Sequence, residues 1–217
     1  MTPGLALPRL FGMTHRRSEF IMRRQFAFLA VTALVTLCAA SLAHAADDAA
    51  LQEKVAVCSG CHGENGISQT ENIPSLAGQP DQYIQWQLVF FRAGSRKNEQ
   101  MQPIAAEITN EDVRAFGAYF SKLTPPTAAE DKDPDLSKKG AQVAAGRRCA
   151  SCHTDSFAGT KAVARLAGQR EEYLVKALHD YKASQRVGGG GAAMADVAYH
   201  MSDEEITAVS HYLAYLK

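Results

Sequence analysis

Spare cysteine is the first thing this 217-residue chain lacks. Of its five cysteines, four form two C-x-x-C pairs, and the fifth, Cys38, lies in an apolar run near the start. None is left over for a structural disulfide. A surplus of charge of one sign is also missing: 23 Lys and Arg stand against 23 Asp and Glu, which gives no hint of the basic patches that nucleic acid requires. Strand-like alternation of apolar and polar residues is absent, so an all-α fold is expected. The long apolar run, Phe26 to Leu42, has only 17 residues, the low edge of what spans a bilayer.

That run reads instead as the centre of a secretory signal. Met22-Arg23-Arg24 supplies the basic start, and Ala43-His44-Ala45 the small residues for cleavage after Ala45. Residues 1–21 carry no core pattern, and Met22 is expected to be the true start. Cys38 follows Leu37, where a lipid-anchored cysteine would want a small neighbour, so it is expected to leave with the signal. Without residues 1–45, 18 Lys and Arg remain against 22 Asp and Glu, a balance of −4. Such a charge suits a soluble chain that meets partners transiently through local patches and touches a membrane only through them.

What is present is a repeated pentapeptide. Cys58-Ser59-Gly60-Cys61-His62 returns as Cys149-Ala150-Ser151-Cys152-His153. C-x-x-C-H is the attachment motif of c-type haem: the thiols form thioethers to the porphyrin and the His ligates its iron. A zinc ribbon would pair its C-x-x-C elements across about 15–20 residues. Here Cys61 and Cys149 differ by 88 positions, and each pair carries its own His. Two covalent haem c groups are therefore expected, held by Cys58, Cys61, Cys149 and Cys152, with His62 and His153 on the irons.

The repetition extends further. Leu76-Ala77-Gly78-Gln79 returns as Leu166-Ala167-Gly168-Gln169, and Tyr83 as Tyr173, each 90 residues on. Met101 and Tyr119 match Met194 and Tyr212 at 93, the extra residues falling in Gly188–Gly191. A period this long, seen twice, means a duplicated domain. Thr124-Pro125-Pro126-Thr127 and the acidic stretch to Asp135 form a linker over residues 124–135, between a first domain at 46–123 and a second at 136–217. Each has about 80 residues, where a core alone gives thin stability.

The expected helices follow capping signals and apolar stripes. Asp47-Asp48 start one with Leu51, Val55 and Cys58 on a face. Gln79-Pro80-Asp81 opens the next, with Pro in its first turn, and Thr109 caps a third over Val113, Phe116 and Phe120. In the second half Asp135 precedes the first helix and Glu171-Glu172 open the second. Ser202-Asp203-Glu204-Glu205 is a capping box before Ile206, Val209, Leu213 and Leu216. Gly117 and Ser210 place a small residue mid-helix at matching positions, where helices could cross closely. His179 and His211 have no motif around them and read as helix-surface residues.

For the sixth iron ligand the first half offers Met101, whose polar flanks argue against a core filler; a thioether favours ferrous iron. The second half offers Met194, Met201 and His200. Met194 precedes the cap Ser202 by eight residues, as Met101 precedes Thr109, so the repeat favours Met194. A ligating His donates its other N–H to a fixed acceptor. The Pro74 carbonyl is a candidate, and Ala164 takes its place in the second half with an expected loss of backbone restraint. Arg96 and Arg186, 90 apart, are candidates to pair with haem propionates.

The two C-x-x-C-H motifs, the two Leu-Ala-Gly-Gln segments, Met101 and Met194, and the closing helices with Tyr119-Phe120 and Tyr212-Leu213 together resemble the cytochrome c4 family. These are exported di-haem proteins of two class I cytochrome c domains. The resemblance implies two all-α domains related by a pseudo-two-fold axis, with first and last helices crossing. It implies His/Met ligation in both and haems near each other. Single electrons would pass from a quinol-oxidising complex or dehydrogenase to a terminal oxidase or reductase in the periplasm. The sequence departs from the pattern at Thr154-Asp155-Ser156-Phe157, which replaces Gly63-Glu64-Asn65-Gly66, and at Ala164, where the family usually has Pro. Two other roles compete: a cytochrome subunit of a dehydrogenase complex, and a di-haem peroxidase-type enzyme, against which the matched Met pair argues.

Overall fold

A computed structural model describes residues 49–217 of the chain. The expected signal, its cleavage point and Cys38 lie outside the described residues. Among these, the regular structure is helical, and no helix is long and apolar enough to cross a membrane.

The first half contains α1 (residues 49–62), α2 (Asp81–Arg92), α3 (Met101–Glu107) and α4 (Asn110–Lys122). The second contains α5 (Pro134–Gly146), the single turn α6 (Ala150–His153), α7 (Glu171–Lys182), α8 (Gly191–Tyr199) and α9 (Asp203–Tyr215). Thr109 and Ser202 form full capping boxes with Asp112 and Glu205, satisfying the orphan N–H groups of the two closing helices. In each half a cation reaches that same acid: Lys54 pairs with Asp112 at 2.5 Å and Arg147 with Glu205 at 2.7 Å.

Val55 of α1, Ile84 of α2 and Phe116 and Phe120 of α4 form one core. Ala144, Phe157, Leu174, Met201, Ile206, Val209 and Leu213 are central to the other. Close crossings rest on small residues. A Cβ on Gly117 would fall 2.9 Å from the Asp81 carbonyl oxygen, so α4 crosses α2 there. One on Gly140 would fall 2.5 Å from Tyr212 Cβ, so α5 crosses α9 there. Ser210, the counterpart of Gly117, is fully buried.

Several expectations need correction. Pro80 sits just before α2 rather than inside it. The first helix of the second half begins at Pro134, with Asp133 accepting from the Leu136 N–H; fixed φ makes proline a ready first helical residue, so Pro134 starts a helix. The short helices α3 and α8 had no forecast. His211 is buried rather than at the surface: Nε2 lies 3.0 Å from Asp131, between α4 and α5, and Nδ1 3.2 Å from Glu171 of α7. Burial works against its charge, but the two carboxylates outweigh that and hold its pKa above the ordinary histidine value.

Candidate functional site

Each C-x-x-C-H histidine ends a helix and points back into its own half. His62 closes α1 and His153 closes α6, with 7% and 8% of their surface exposed. The chain must then reverse sharply. Gly63, with φ 81°, starts that turn in the first half; Thr154, with φ 70°, starts it in the second. Gly66 (φ 70°) and Phe157 (φ 52°) occupy the next matching positions. The hydrogen bonds coincide: Leu76 and Ala77 donate to Gly66 O, and Leu166 and Ala167 to Phe157 O. The second half therefore keeps the same loop with residues that resist it.

The loops bring a carbonyl to each ring. His62 Nδ1 lies 2.8 Å from Pro74 O, and His153 Nδ1 lies 2.8 Å from Ala164 O. Each ring donates its Nδ1 proton there, leaving Nε2 with a free lone pair. Burial lowers both imidazole pKa values, and Arg96 adds to the effect at His62, which favours the neutral ring in each. Ala164 does not lack restraint. Thr160 and Val163 close a two-residue hairpin with N–H···O bonds of 3.1 and 2.8 Å, which fixes the segment leading into it.

One cavity of about 1270 Å³ runs through both halves. His62 and Met101 line it, as do His153 and Met194. Its walls are apolar over much of their area, with Ile84, Leu88, Phe91, Ile104, Phe116 and Phe120 in the first half. The four motif cysteines form no disulfide, which leaves each able to bond a porphyrin. Cys61 and Cys152 are exposed, while Cys58 and Cys149 are half-buried with pKa values raised by that burial. Met101 opens α3, fixed by Asn98 Oδ1 accepting from its N–H at 2.8 Å. The alternatives to Met194 face elsewhere: Met201 is buried in the second core, and His200 is exposed beside Tyr199.

Arg96 and Arg186 meet where the halves join. Their backbones form an antiparallel bridge. Arg186, 6% exposed, donates to Tyr83 Oη at 3.0 Å, Gln87 Oε1 at 3.1 Å and Tyr173 Oη at 3.3 Å. Arg96 donates to Gln87 Oε1 at 2.7 Å and Tyr173 Oη at 3.1 Å. Each guanidinium also stacks on a ring, Arg96 on Phe91 at 4.4 Å and Arg186 on Tyr181 at 4.6 Å. Among the described residues neither makes an ion pair with a carboxylate. Burial alone would push the Tyr173 phenol up, but the two cations draw it down to about 7. Arg186 is buried, Arg96 half-buried, and no carboxylate pairs with either among the described residues, so the junction suits an added anion. With the apolar cavity, the motif cysteines and the two aimed imidazoles, this donor set fits a porphyrin bearing carboxylate arms.

Two residue sets escaped the reading of the sequence. Tyr83 and Tyr173 were seen only as repeat markers, and Gln79 and Gln169 likewise. Their recurrence at one offset was the available signal; each reaches a partner in the opposite half, and Tyr173 also takes Arg186 of its own.

Comparison with known proteins agrees with this geometry. The family model described as cytochrome c matches residues 51–124 and again 137–217. The chain is 34% identical over 203 residues to cytochrome c4 of Azotobacter vinelandii, covering 84% of this chain and 96% of that protein. It is 32% identical over 203 residues to a thiosulfate dehydrogenase electron acceptor of Thiomonas intermedia, covering 89% and 94%. The crystal structure of reduced recombinant cytochrome c4 from Pseudomonas stutzeri superposes with a TM-score of 0.69 at 32% identity, covering 77% of this chain and 97% of that one.

Proposed function

From the premise that this chain belongs to the cytochrome c4 family, an electron-transfer cytochrome with two covalent haem c groups, we propose that it is a periplasmic one-electron shuttle using two six-coordinate His/Met centres. Cys58 and Cys61 would hold the first group, with His62 and Met101 as its iron ligands. Cys149 and Cys152 would hold the second, with His153 and Met194. Bound there, each haem supplies a one-electron ferric–ferrous change. The chain's residues tune and insulate it. Pro74 and Ala164 fix the imidazole tautomers, the thioethers favour the ferrous state, and the apolar walls exclude water. Arg96 and Arg186 take the carboxylate arms at the junction. With both sixth positions filled by Met, neither iron offers a substrate an open place, which favours a carrier over a peroxidase-type enzyme.

The observation that carries this reading is that His62 with Met101 and His153 with Met194 line a single cavity, with the first motif's Cys58 and Cys61 also on its wall. A pyridine haemochrome assay of the purified protein is expected to give two haems per chain. Spectra should show low-spin ferric iron with a Met–iron charge-transfer band, and carbon monoxide should not bind the native reduced form. Fewer than two haems, or a high-spin ferric centre, overturns the proposal.

The donor is a quinol-oxidising complex or a dehydrogenase, and the acceptor a terminal oxidase or reductase. The likeness to a thiosulfate dehydrogenase electron acceptor supports a dehydrogenase as donor. Co-purification with such an enzyme, against rapid reduction by it without a stable complex, separates a bound subunit from a free shuttle.

A further inference from the structure

The repeated Leu-Ala-Gly-Gln has a consequence beyond marking the duplication. Its glycines, Gly78 (φ 67°) and Gly168 (φ 72°), turn the chain so that their N–H groups bond the closing helices, at Phe120 O and Leu213 O, both at 2.9 Å. That turn sends the glutamine that follows into the other half. Gln79 and Gln169 are each 4% exposed.

Each glutamine grips one residue of the opposite half with both ends of its amide. Gln169 Oε1 accepts from the Ser75 N–H at 2.8 Å, and its Nε2 donates to Ser75 O at 2.9 Å. Gln79 Oε1 accepts from the Arg165 N–H at 3.0 Å, and its Nε2 donates to Arg165 O at 2.9 Å. An N–H on one side and a C=O on the other dictate which way each amide points.

The residue gripped is not arbitrary. The Ser75 N–H belongs to the same peptide unit as the Pro74 carbonyl, which accepts the His62 Nδ1 proton at 2.8 Å. The Arg165 N–H belongs to the same unit as the Ala164 carbonyl, which accepts the His153 Nδ1 proton at 2.8 Å. A peptide unit is planar, so holding its N–H fixes the direction of its C=O. Hydrogen bonds on both sides of the unit also polarise one another, strengthening each by about 10–30%. The chain of contacts therefore runs from Gln169 through one peptide to His62, and from Gln79 through one peptide to His153.

We propose that these are crossed positioning residues: Gln169 of the second half sets the orientation and basicity of His62 in the first, and Gln79 of the first half does so for His153 in the second. A firmly held acceptor makes its imidazole a better donor to the metal and favours the oxidised state. Loss of the clasp favours the reduced state of the iron in the opposite half. This rests on the reading of His62 and His153 as iron ligands.

The test uses the complete, haem-loaded protein with ¹⁵N-labelled histidine, as Gln169→Met and Gln79→Met. Both changes keep side-chain length and remove the amide. NMR follows the exchange of the two Nδ1 protons in the reduced protein and the midpoint of each haem in a redox titration. Gln169→Met is expected to speed exchange at His62 at least tenfold while leaving His153 as it was. The ferrous-to-ferric ratio of the first haem should rise about threefold at fixed potential, roughly 30 mV for a one-electron couple. Gln79→Met should give the mirror image. Should either variant fail to load both haems, Gln→Glu at that position retains an oxygen opposite the N–H; it should keep the protected proton in the opposite half.

Responses confined to the substituted half, equal in both halves, or absent in both would each overturn the proposal. A failure of the ligand reading shows separately, because the unsubstituted protein would then lack haem-shifted ring signals from ¹⁵N-labelled His62 and His153.

Discussion

Replacing Thr154 by Gly should stabilise the second half, although the residue follows directly on His153. Its φ of 70° and ψ of 161° fall in a region that essentially only glycine occupies, and Gly63 fills the matching place at 81° and 159°. A β-branched residue held there stores strain on the order of 1–3 kcal/mol. The side chain returns little, since Oγ1 makes only a 3.4 Å exposed contact with Ser156 Oγ. Glycine adds freedom to the unfolded chain, costing about 0.5–1 kcal/mol. Strain relief is the larger effect, by about 1 kcal/mol. For a unit of 60–100 residues that raises the midpoint by roughly 4–8 °C. Calorimetry of the haem-loaded protein, with the second haem's Met–iron band followed in parallel, measures it. The reverse change, Gly63→Thr, should lose more than this, because a Cβ there would lie 2.7 Å from the Ile67 carbonyl carbon and closer still to its oxygen. A Thr154→Gly midpoint equal to or below that of the unsubstituted protein would refute the strain reasoning.

Met101→Ala and Met194→Ala should each open one iron to carbon monoxide and lower that haem's potential by about a tenth of a volt or more, within the roughly 0.8 V over which axial ligands act; a Met194→Ala protein with both charge-transfer bands intact would disprove that ligand. Arg186→Gln removes a cation bonded to Tyr83 and Gln87 of the first half as well as Tyr173 of the second, so both potentials should fall, by the equivalent of on the order of 1–2 kcal/mol, and an unchanged titration would count against a propionate role. His211, with its pKa raised, contributes stability that is complete below its unfolded value of about 6.5 and is lost as pH rises through the folded value. Asp131, with its pKa lowered, acts in the opposite sense, losing its contribution as pH falls through the folded value, so this clasp is fullest between about pH 4 and 6.5. Proteolysis at residues 124–132 should therefore run faster at about pH 9 than at about pH 6, and His211→Gln should abolish the difference.

The legible parts of this molecule were those whose signal is local. The C-x-x-C-H motifs, the caps at Thr109 and Ser202, and the stripe from Val113 to Phe120 depend on neighbours within a few positions, and they read directly. The helices α3 and α8 did not. They have only 7 and 9 residues, too short for propensity to hold them alone, so packing against α2 and α7 decides. His211 misled for a related reason: its partners Asp131 and Glu171 lie 80 and 40 residues away, and nothing around it announces them. The loss of restraint expected at Ala164 was wrong on the same ground, since the Thr160–Val163 hairpin and Gln79 supply what a proline would have.

The junction between the halves has a chemistry that bears on what it is for. Its centre is polar: two glutamine amides, two tyrosines and two arginines, each with at least one contact reaching across. Apolar burial would hold the halves together equally well, and an amide–backbone bond contributes only about 1 kcal/mol net. What the polar contacts add is a unique register, because a slip leaves buried donors and acceptors without partners at about 1–3 kcal/mol each. The elements fixed by that register are the Pro74 and Ala164 carbonyls on the histidines and the guanidiniums at the shared cavity. A junction that served only to tether two carriers would have no reason to grip those groups. One that keeps two metal centres at a defined separation and ligand basicity, so that an electron finds the same path each time, needs them.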